Sequence, residues 1–219
     1  MMEEAYMPPP IQAFPVRYPN PWRPSRRPAD LPNDRWSLEI RFRDGFNDPR
    51  GTGLHHAIDI LGDLGLIIAS STDGTAANYF IDIKGIEHPG VCNTTDAGNI
   101  VGIVDPSGYM HYYAHLRDPG MVSPGQRVYA GQQIGWLGRT GTLAAGGPLH
   151  LHYQVSEPLR DTGHHNTNGY STRDRGRIRY NQFPELRRQA QFGPWLLDHR
   201  SRIVIPPKDR LPTAPQHRG

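Results

Sequence analysis

The chain has 219 residues and a formal net charge of +3, and its 22 Pro and 24 Gly accompany a low mean hydropathy. This length allows one domain of ordinary size with extensions, or two very small domains. The abundance of Pro and Gly favours a β-rich core with many turns, flanked by segments that do not fold alone. Apolar runs stay shorter than the roughly 18–20 residues of a membrane-spanning helix, so we expect no membrane span. The single Cys92 excludes an internal disulfide and a zinc site made of thiolates.

Charge is distributed unevenly along the chain. Residues 44–155 carry 5 Lys/Arg against 10 Asp/Glu, whereas residues 156–219 carry 12 against 6 and residues 1–43 carry 7 against 5. A basic tail beside an acidic centre is compatible with an anionic partner, such as a charged polymer, another protein or nucleic acid. A soluble Arg-rich tail without a partner fits equally well. The sequence contains no nucleic-acid-binding motif.

The first 35 residues are predicted to form an irregular, Pro-rich, extended arm. The runs MPPP and YPNPWRPSRRP fall in this segment, and each proline fixes its own φ and restricts the residue before it. The chain starts with acidic residues where a secretory signal would be basic, and no apolar segment follows. We therefore expect no signal peptide.

Residues 36–157 have the pattern of an antiparallel all-β domain. SLEIRF alternates apolar and charged residues with the period of a half-buried strand. Short segments rich in Ile, Val and Tyr follow, separated by Gly, Pro, Asp or Asn: HHAIDILG, GLIIASSTDG, NYFIDIKG, NIVGIVDPSG, HYYAHL, QRVYAGQQIGWLG and LHLHYQV. Because none of these segments has ten residues of helical periodicity, we predict a sheet of short strands.

Residues 158–219 are predicted to form a basic C-terminal extension. DTGHHNTNGYSTRDRGR reads as a polar loop, and FPELRRQAQFGPWLLDHR predicts a short helix at residues 184–191. RIVI at residues 202–205 predicts one edge strand before a disordered PPKDRLPTAPQHRG end.

Two histidine patterns offer metal ligands. In HHAID, His55 and Asp59 are four residues apart, in a turn that runs into a strand. In LHLHY, His150 and His152 share one face of a strand, and the apolar residues between them face the other way. Nitrogen and oxygen donors without a thiolate suit a catalytic zinc site, where three protein ligands leave a fourth position open. A pair of surface histidines with a solvated Asp is the alternative at this point.

A third histidine, His115, lies in HYYAHL. Taken alone, it reads more readily as a packed strand histidine than as a catalytic residue.

Four segments in order resemble the lysostaphin/LytM-type zinc metalloendopeptidases. They are HHAID, YAHL, the Gly-punctuated run GQRVYAGQQIGWLGRTG and HLHYQV, with DPR ahead of the first histidine. The resemblance covers about residues 44–157, over half of the chain. One HxxxD or one HxH is a weak signal, whereas all four segments in the family's order and approximate spacing are a strong one. The resemblance implies a β-sheet groove with the metal on its floor.

The resemblance also implies a role for each site residue. His55, Asp59 and His152 would bind one Zn²⁺ per chain, and His115 and His150 would be unligated catalytic histidines. With zinc as the Lewis acid, these two would orient and deprotonate a water, stabilise the oxyanion and protonate the leaving amine. An imidazole beside zinc stays neutral near pH 7, as a base requires.

Departures from the family pattern concern neighbours of these residues. Ala57 replaces the Gly usual between the first His and the Asp, Gln154 stands where an acidic residue often follows, and GTLAAGGPLHLH approaches the last strand differently. The remaining histidines are not expected at the site: His56 should point away from its neighbour, His164 and His165 lie in a polar loop, and His88, His111, His199 and His217 have no partner pattern.

These implications favour an endopeptidase that acts on peptidoglycan stems or cross-links, with a D-alanyl–diaminopimelate link or a glycine bridge as the bond. Without an expected signal peptide, a virion or a phage-tail-like particle, or release at lysis from the cytoplasm, would bring the enzyme to the cell wall. The alternatives are a structural plug or tip of such a particle, which would contact other particle proteins through the arm and the basic tail, and a non-catalytic regulator of wall amidases.

Overall fold

The computed structural model describes residues 11–17, 40–50, 53–81, 87–156, 169–171, 180–190, 196–197 and 203–205. The first strands are β1 (Val16–Arg17), β2 (Ile40–Phe42), β3 (Asp48–Arg50), β4 (Gly53–His55), β5 (Ile58–Leu61), β6 (Ile67–Ala69), β7 (Gly74–Ala76), β8 (Tyr79–Ile81) and β9 (Glu87–Pro89). Then follow β10 (Val91–Thr94), β11 (Gly98–Val104), β12 (Met110–Leu116), β13 (Arg127–Val128), β14 (Gln133–Trp136), β15 (His150–Ser156), β16 (Gly169–Ser171), α1 (Phe183–Gln189), β17 (Leu196–Leu197) and β18 (Ile203–Ile205).

Most of these strands join one antiparallel sheet, which confirms the predicted all-β fold. Within the described residues the sheet has ten strands, in the order β13-β7-β11-β12-β15-β5-β2-β18-β17, and β10 also pairs with β11. Smaller sheets are formed by β1-β6-β14, by β16-β8-β9 and by the hairpin β3-β4. Short strands joined by Gly- and Pro-containing turns are the physical result of the composition, since these residues interrupt both helices and long strands.

The main sheet has one face in the core and one face that carries the site. On β15, Leu151, Tyr153 and Val155 are fully buried in the large apolar cluster. His150 and His152 alternate with them and therefore face the other side of the sheet. The period-2 pattern of LHLHY thus predicts the two faces correctly.

Residues on both sides of the β-domain pack into the same core. Residues 11–17, within the predicted arm, contribute the buried Ile11, Phe14 and Val16, and β1 pairs with β6. Helix α1 lies over the same core through Leu186, and its first residues include Pro184, a residue favoured at the start of a helix. The sequence predicts this helix at residues 184–191, close to its actual bounds.

The predicted strand at residues 202–205 forms as β18, but it is not at the edge. It pairs with β2 on one side and with the two-residue β17 on the other. The sequence prediction of an edge position is wrong because Leu196–Leu197, too short for a strand pattern, adds the outer strand.

Several predicted features lie outside the described residues: most of the Pro-rich arm, most of the polar loop after residue 158, and the chain end from residue 206. The loop prediction is wrong at residues 169–171, which form β16 and pair in parallel with β8, because the partner strand is distant along the chain and leaves no local pattern. Among the described helical residues, none belongs to a segment long and apolar enough to span a membrane.

Candidate metal centre

Three predicted ligands meet on the open face of the main sheet. His152 of β15 lies directly opposite Asp59 of β5 in the antiparallel pairing, so both side chains point to the same face. His55, at the end of β4, is buried beside them. Nε2 of His55, Oδ1 of Asp59 and Nδ1 of His152 form a triangle with edges of 3.2, 3.3 and 3.4 Å.

This triangle has the dimensions of a tetrahedral zinc site. Ligand atoms about 2.0–2.1 Å from a zinc ion at tetrahedral angles lie about 3.3–3.4 Å apart. The donor set of two imidazoles and one carboxylate is also typical of zinc sites that keep one position open for chemistry. Oδ1 of Asp59 is buried and has no hydrogen bond of good geometry within the described part of the chain. An orphaned buried oxygen between two imidazole nitrogens fits a cation, so the residues present fit zinc.

The protonation states of the triangle suit a metal ligand set. Burial alone would raise the pKa of Asp59, but the neighbouring His152 and His55 outweigh burial and hold this pKa well below its usual range. Burial lowers the pKa of His152 despite the nearby Asp59 carboxylate. Near neutral pH the site therefore offers an ionised carboxylate and a neutral imidazole, the forms that bind metals.

Arg50 holds the carboxylate in this orientation. Its Nη2 donates to Oδ2 of Asp59 at 2.8 Å, which leaves Oδ1 directed toward the two histidines. The sequence provides DPR only as part of the family match and gives no role for its arginine. Arg50 lies in the β3-β4 hairpin, and only the folded hairpin brings it over β5.

The open face of the main sheet, which carries the triangle, is called the groove face. Three histidines on this face share one hydrogen-bonding pattern. Nδ1 of His55 donates to the carbonyl oxygen of Gly45 at 3.1 Å, and Nδ1 of His150 donates to that of Pro148 at 2.9 Å. Nδ1 of His115 donates to the carbonyl oxygen of Thr140 at 2.8 Å. Because a carbonyl oxygen only accepts, the neutral form of each ring carries its proton on Nδ1 and its lone pair on Nε2. For His55, this lone pair belongs to the metal triangle.

His115 reaches the groove through an irregularity in β12. Regular alternation would place His115 on the core face with Tyr113, but the β11-β12 pairing shifts register between Asn99 and Val101. His115 has a φ of 65°, one of two positive values among the described non-glycine residues. This β-bulge turns the side chain to the groove face, where its ring centroid lies 4.8 Å from that of His150 and 5.9 Å from that of His152.

His115 and His150 stand beside the triangle. Nε2 of His150 lies 3.9 Å from Oδ1 of Asp59. Burial, together with the positive charge that His152 would carry if protonated, lowers the pKa of His115 to about 4. His115 is therefore a neutral base throughout the neutral pH range.

Two of the three family departures, Ala57 and Gln154, lie beside the triangle and leave it intact. Ala57 is buried at the turn between β4 and β5 without displacing His55 or Asp59. Gln154 pairs across the sheet with Tyr112, and both side chains are buried next to the groove floor. His56 is exposed, and its ring centroid lies 6.0 Å from that of Phe46.

The core face of the same strands holds a second polar cluster that the sequence does not reveal. His111 is fully buried, and its Nδ1 lies 2.9 Å from Oγ of Ser71 and 2.8 Å from the hydroxyl of Tyr153. Its Nε2 lies 3.5 Å from Oδ2 of Asp105. The sequence shows no partner pattern for His111, because Ser71 and Tyr153 are each about 40 residues away along the chain. His164, His165, His199 and His217 lie outside the described residues.

An antiparallel sheet with a His-Asp-His triangle and two further imidazoles on one face is typical of zinc-dependent hydrolases. The chain belongs to peptidase family M23, whose model matches residues 53–168. Members of this family are zinc metallopeptidases.

The chain is also similar to individual proteins and solved structures. The glycyl-glycine endopeptidase ALE-1 of Staphylococcus capitis is 29% identical over 147 residues, covering 58% of this chain and 36% of that protein. A lytM protein from Ruminococcus gnavus shares the fold, with a TM-score of 0.51, 21% identity, and coverage of 81% of this chain and 60% of its own. The catalytic domain of the antimicrobial peptidase lysostaphin from Staphylococcus simulans has a TM-score of 0.48 and 22% identity. The match covers 67% of this chain and 91% of that domain. The chain spans about a third of the length of the curated relative that it matches.

Proposed function

We propose that this chain is a zinc-dependent endopeptidase that cleaves peptide stems or cross-links of bacterial peptidoglycan. The observation that carries the proposal is the triangle of His55, Asp59 and His152, with edges of 3.2–3.4 Å. Membership in family M23 and the likeness to glycyl-glycine endopeptidase ALE-1 support the substrate class. The peptide bond is either one in a stem or one in a cross-bridge.

In this proposal His55, Asp59 and His152 hold the zinc ion. When bound, zinc supplies a Lewis acid that polarises the scissile carbonyl and lowers the pKa of water toward about 7. Arg50 keeps Oδ1 of Asp59 turned toward the two histidines, because it occupies Oδ2 at 2.8 Å. The ligand set is thereby preorganised by a hydrogen bond that does not itself involve the metal.

His115 and His150 move the protons of the reaction. Each donates Nδ1–H to a backbone carbonyl, at 2.8 and 2.9 Å, and thus keeps a lone pair on Nε2. That lone pair accepts the proton of the attacking water, and the resulting imidazolium donates to the developing oxyanion or to the leaving amine. Because the ring centroids are 4.8 Å apart, both imidazoles act on the same scissile bond.

Delivery to the wall by a virion or a tail-like particle, or at lysis, is part of the proposal. The basic composition of residues 156–219 supports contact with an anionic partner. Removing residues 206–219 should leave catalysis intact and abolish co-purification with particle proteins. Residues 11–17 must be retained in this test, because β1 pairs with β6.

The test of the function is muropeptide release from purified sacculi, identified by mass spectrometry. We expect about one zinc per chain, release of peptide fragments, loss of release with a chelator, and recovery with added zinc. The masses of the fragments identify which peptide bond is cleaved. Zinc binding without release from any sacculus type would contradict the enzyme proposal.

The variant His150→Ala distinguishes a catalytic histidine from a zinc ligand, and His56→Ala is the matched control. His150→Ala should keep zinc and lower the cleavage rate by about 10²–10⁴-fold, the range for loss of a general acid or base. His56 is a neighbouring exposed histidine that is not part of the triangle, so its variant should match the wild type. Loss of zinc in His150→Ala would show that His150 is a ligand.

A further inference from the structure

The loop at residues 138–143 is fastened to the strand bulge that carries His115. The carbonyl oxygen of Thr140 accepts a hydrogen bond from Nδ1 of His115 at 2.8 Å. The hydroxyl of Thr140 donates to the carbonyl oxygen of Leu116 at 2.6 Å and accepts from the backbone N–H of Asn99 at 2.9 Å. One threonine thus contacts the ring of His115, the backbone directly after it and the neighbouring strand.

Asn99 secures the same backbone from the other side. It is buried, and its side-chain amide donates to the carbonyl oxygens of Leu116 and Arg117, both at 3.1 Å. The backbone N–H of His115 donates to the carbonyl oxygen of Ala97 at 3.0 Å. The polar backbone groups around the bulge therefore have partners, although the regular ladder is interrupted there.

The approach of the two segments is too close for side chains at two glycines. A Cβ on Gly98 would lie 2.2 Å from Oγ1 of Thr140, and a Cβ on Gly141 would lie 2.3 Å from the backbone nitrogen of Gly98. Both glycines also have positive φ values, of 68° and 86°. These glycines let the hydroxyl of Thr140 reach the backbone beside His115.

The bulge needs this support because of its backbone conformation. His115 has a φ of 65°, which a non-glycine residue adopts only where its surroundings impose it. If the residue relaxed to regular strand geometry, alternation would turn the imidazole to the core face. The groove-facing position of His115 therefore depends on the contacts that hold Leu116 and Asn99.

We propose that Thr140 is a positioning residue for catalysis. Its hydroxyl fixes the left-handed backbone at His115, and its carbonyl fixes the ring tautomer so that Nε2 carries the lone pair. The inference rests on the proposed function, in which His115 moves a proton. Thr140 itself does not touch the substrate or the metal in this scheme.

The test compares Thr140→Val with Thr140→Ser and with Thr142→Val. Valine removes the hydroxyl at nearly constant volume, and serine restores it. The hydroxyl of Thr142, in the same loop, donates to Oδ1 of Asp96 and serves as the control. In the zinc-loaded full chain, Thr140→Val should lower kcat by about 10–100-fold, as expected for a displaced catalytic group, with unchanged KM and zinc content. Thr140→Ser should restore most of the rate, and Thr142→Val should behave as the wild type. Thr140→Ala is a second hydroxyl-free variant in case valine disturbs folding, and the same loss is expected.

A second measurement is independent of activity. Two-dimensional ¹⁵N NMR of the imidazole rings, assigned with His115→Ala, should give the Nδ1–H tautomer for His115 in the wild type. In Thr140→Val and Thr140→Ala this signal should shift or broaden, and in Thr140→Ser it should match the wild type. Unchanged His115 signals with unchanged kcat in the hydroxyl-free variants would overturn the inference. A wild type that releases no peptide would refute the proposed function, while the NMR comparison would still decide the role of Thr140.

Discussion

Two polar clusters lie on opposite faces of the same strands, and only one of them is open. On the groove face, β12 and β15 contribute His115 and His152. On the core face, the same strands contribute His111 and Tyr153, both fully buried. Each cluster combines histidine with an aspartate, so residue type alone does not distinguish them.

The two clusters differ in how their polar atoms contact one another. In the core cluster, Oγ of Ser71 lies within 2.7–2.9 Å of His111, Tyr113 and Tyr153, and Asp105 completes the set. On the groove face, a nitrogen of each of two imidazoles and one carboxylate oxygen converge within 3.2–3.4 Å of one another. A closed network satisfies itself and rigidifies the core, whereas the groove-face atoms form a ligand set that fits a cation.

The largest expected effect is on zinc affinity, and it is tested by replacing one aspartate of each cluster with asparagine. Asp59→Asn removes the charged ligand, so zinc affinity should fall by more than about 100-fold, beyond what outer partners of a site cost. Asp105→Asn should keep about one zinc per chain, because Asp105 contacts His111 and backbone N–H groups on the core side. Zinc content after dialysis measures both. Equal zinc loss in the two variants would show that the clusters are not independent.

A smaller loss of zinc affinity is expected on substitution of Arg50, which orients the ligand Asp59 and is not itself a ligand. Arg50→Gln should weaken zinc binding by about 10-fold, at the low end for a residue that orients a ligand, because Oδ2 of Asp59 loses its 2.8 Å partner. Arg188→Gln is the control, since Arg188 pairs with Glu185 on helix α1. Competition with a chromogenic chelator measures the affinity. Unchanged binding in Arg50→Gln would mean that the triangle alone fixes the carboxylate.

The sequence predicts whatever depends on local periodicity. The alternation in LHLHY indicates which face His150 and His152 share, and the spacing of His55 and Asp59 fits a turn that enters β5. The short helix is also predictable, because Pro184 marks its start. In these cases the residues that decide the structure are neighbours along the chain.

Features set by distant contacts are not predictable in this way. The face of His115 depends on a bulge with φ of 65°, supported by Thr140 and Asn99. Strict alternation would have placed this histidine in the core, so its predicted role came from the family resemblance and not from periodicity. His111 shows the converse, because its partner Ser71 is 40 residues away and leaves no local pattern.

The smallest expected effect on zinc binding is at the core cluster, where Tyr153→Phe removes one hydroxyl. Burial raises the pKa of Tyr153 well above its usual value, so the hydroxyl stays protonated and lies within hydrogen-bond distance of Ser71 and His111. Its loss should lower the free energy of unfolding by about 1–2 kcal/mol, since Ser71 and His111 still contact each other. Zinc content should not change, because the adjacent His152 points to the opposite face. Urea denaturation measures the effect against Tyr129→Phe, an exposed tyrosine expected to be neutral. A drop in zinc affinity without a loss of stability would mean that the closed cluster serves the site and not the fold.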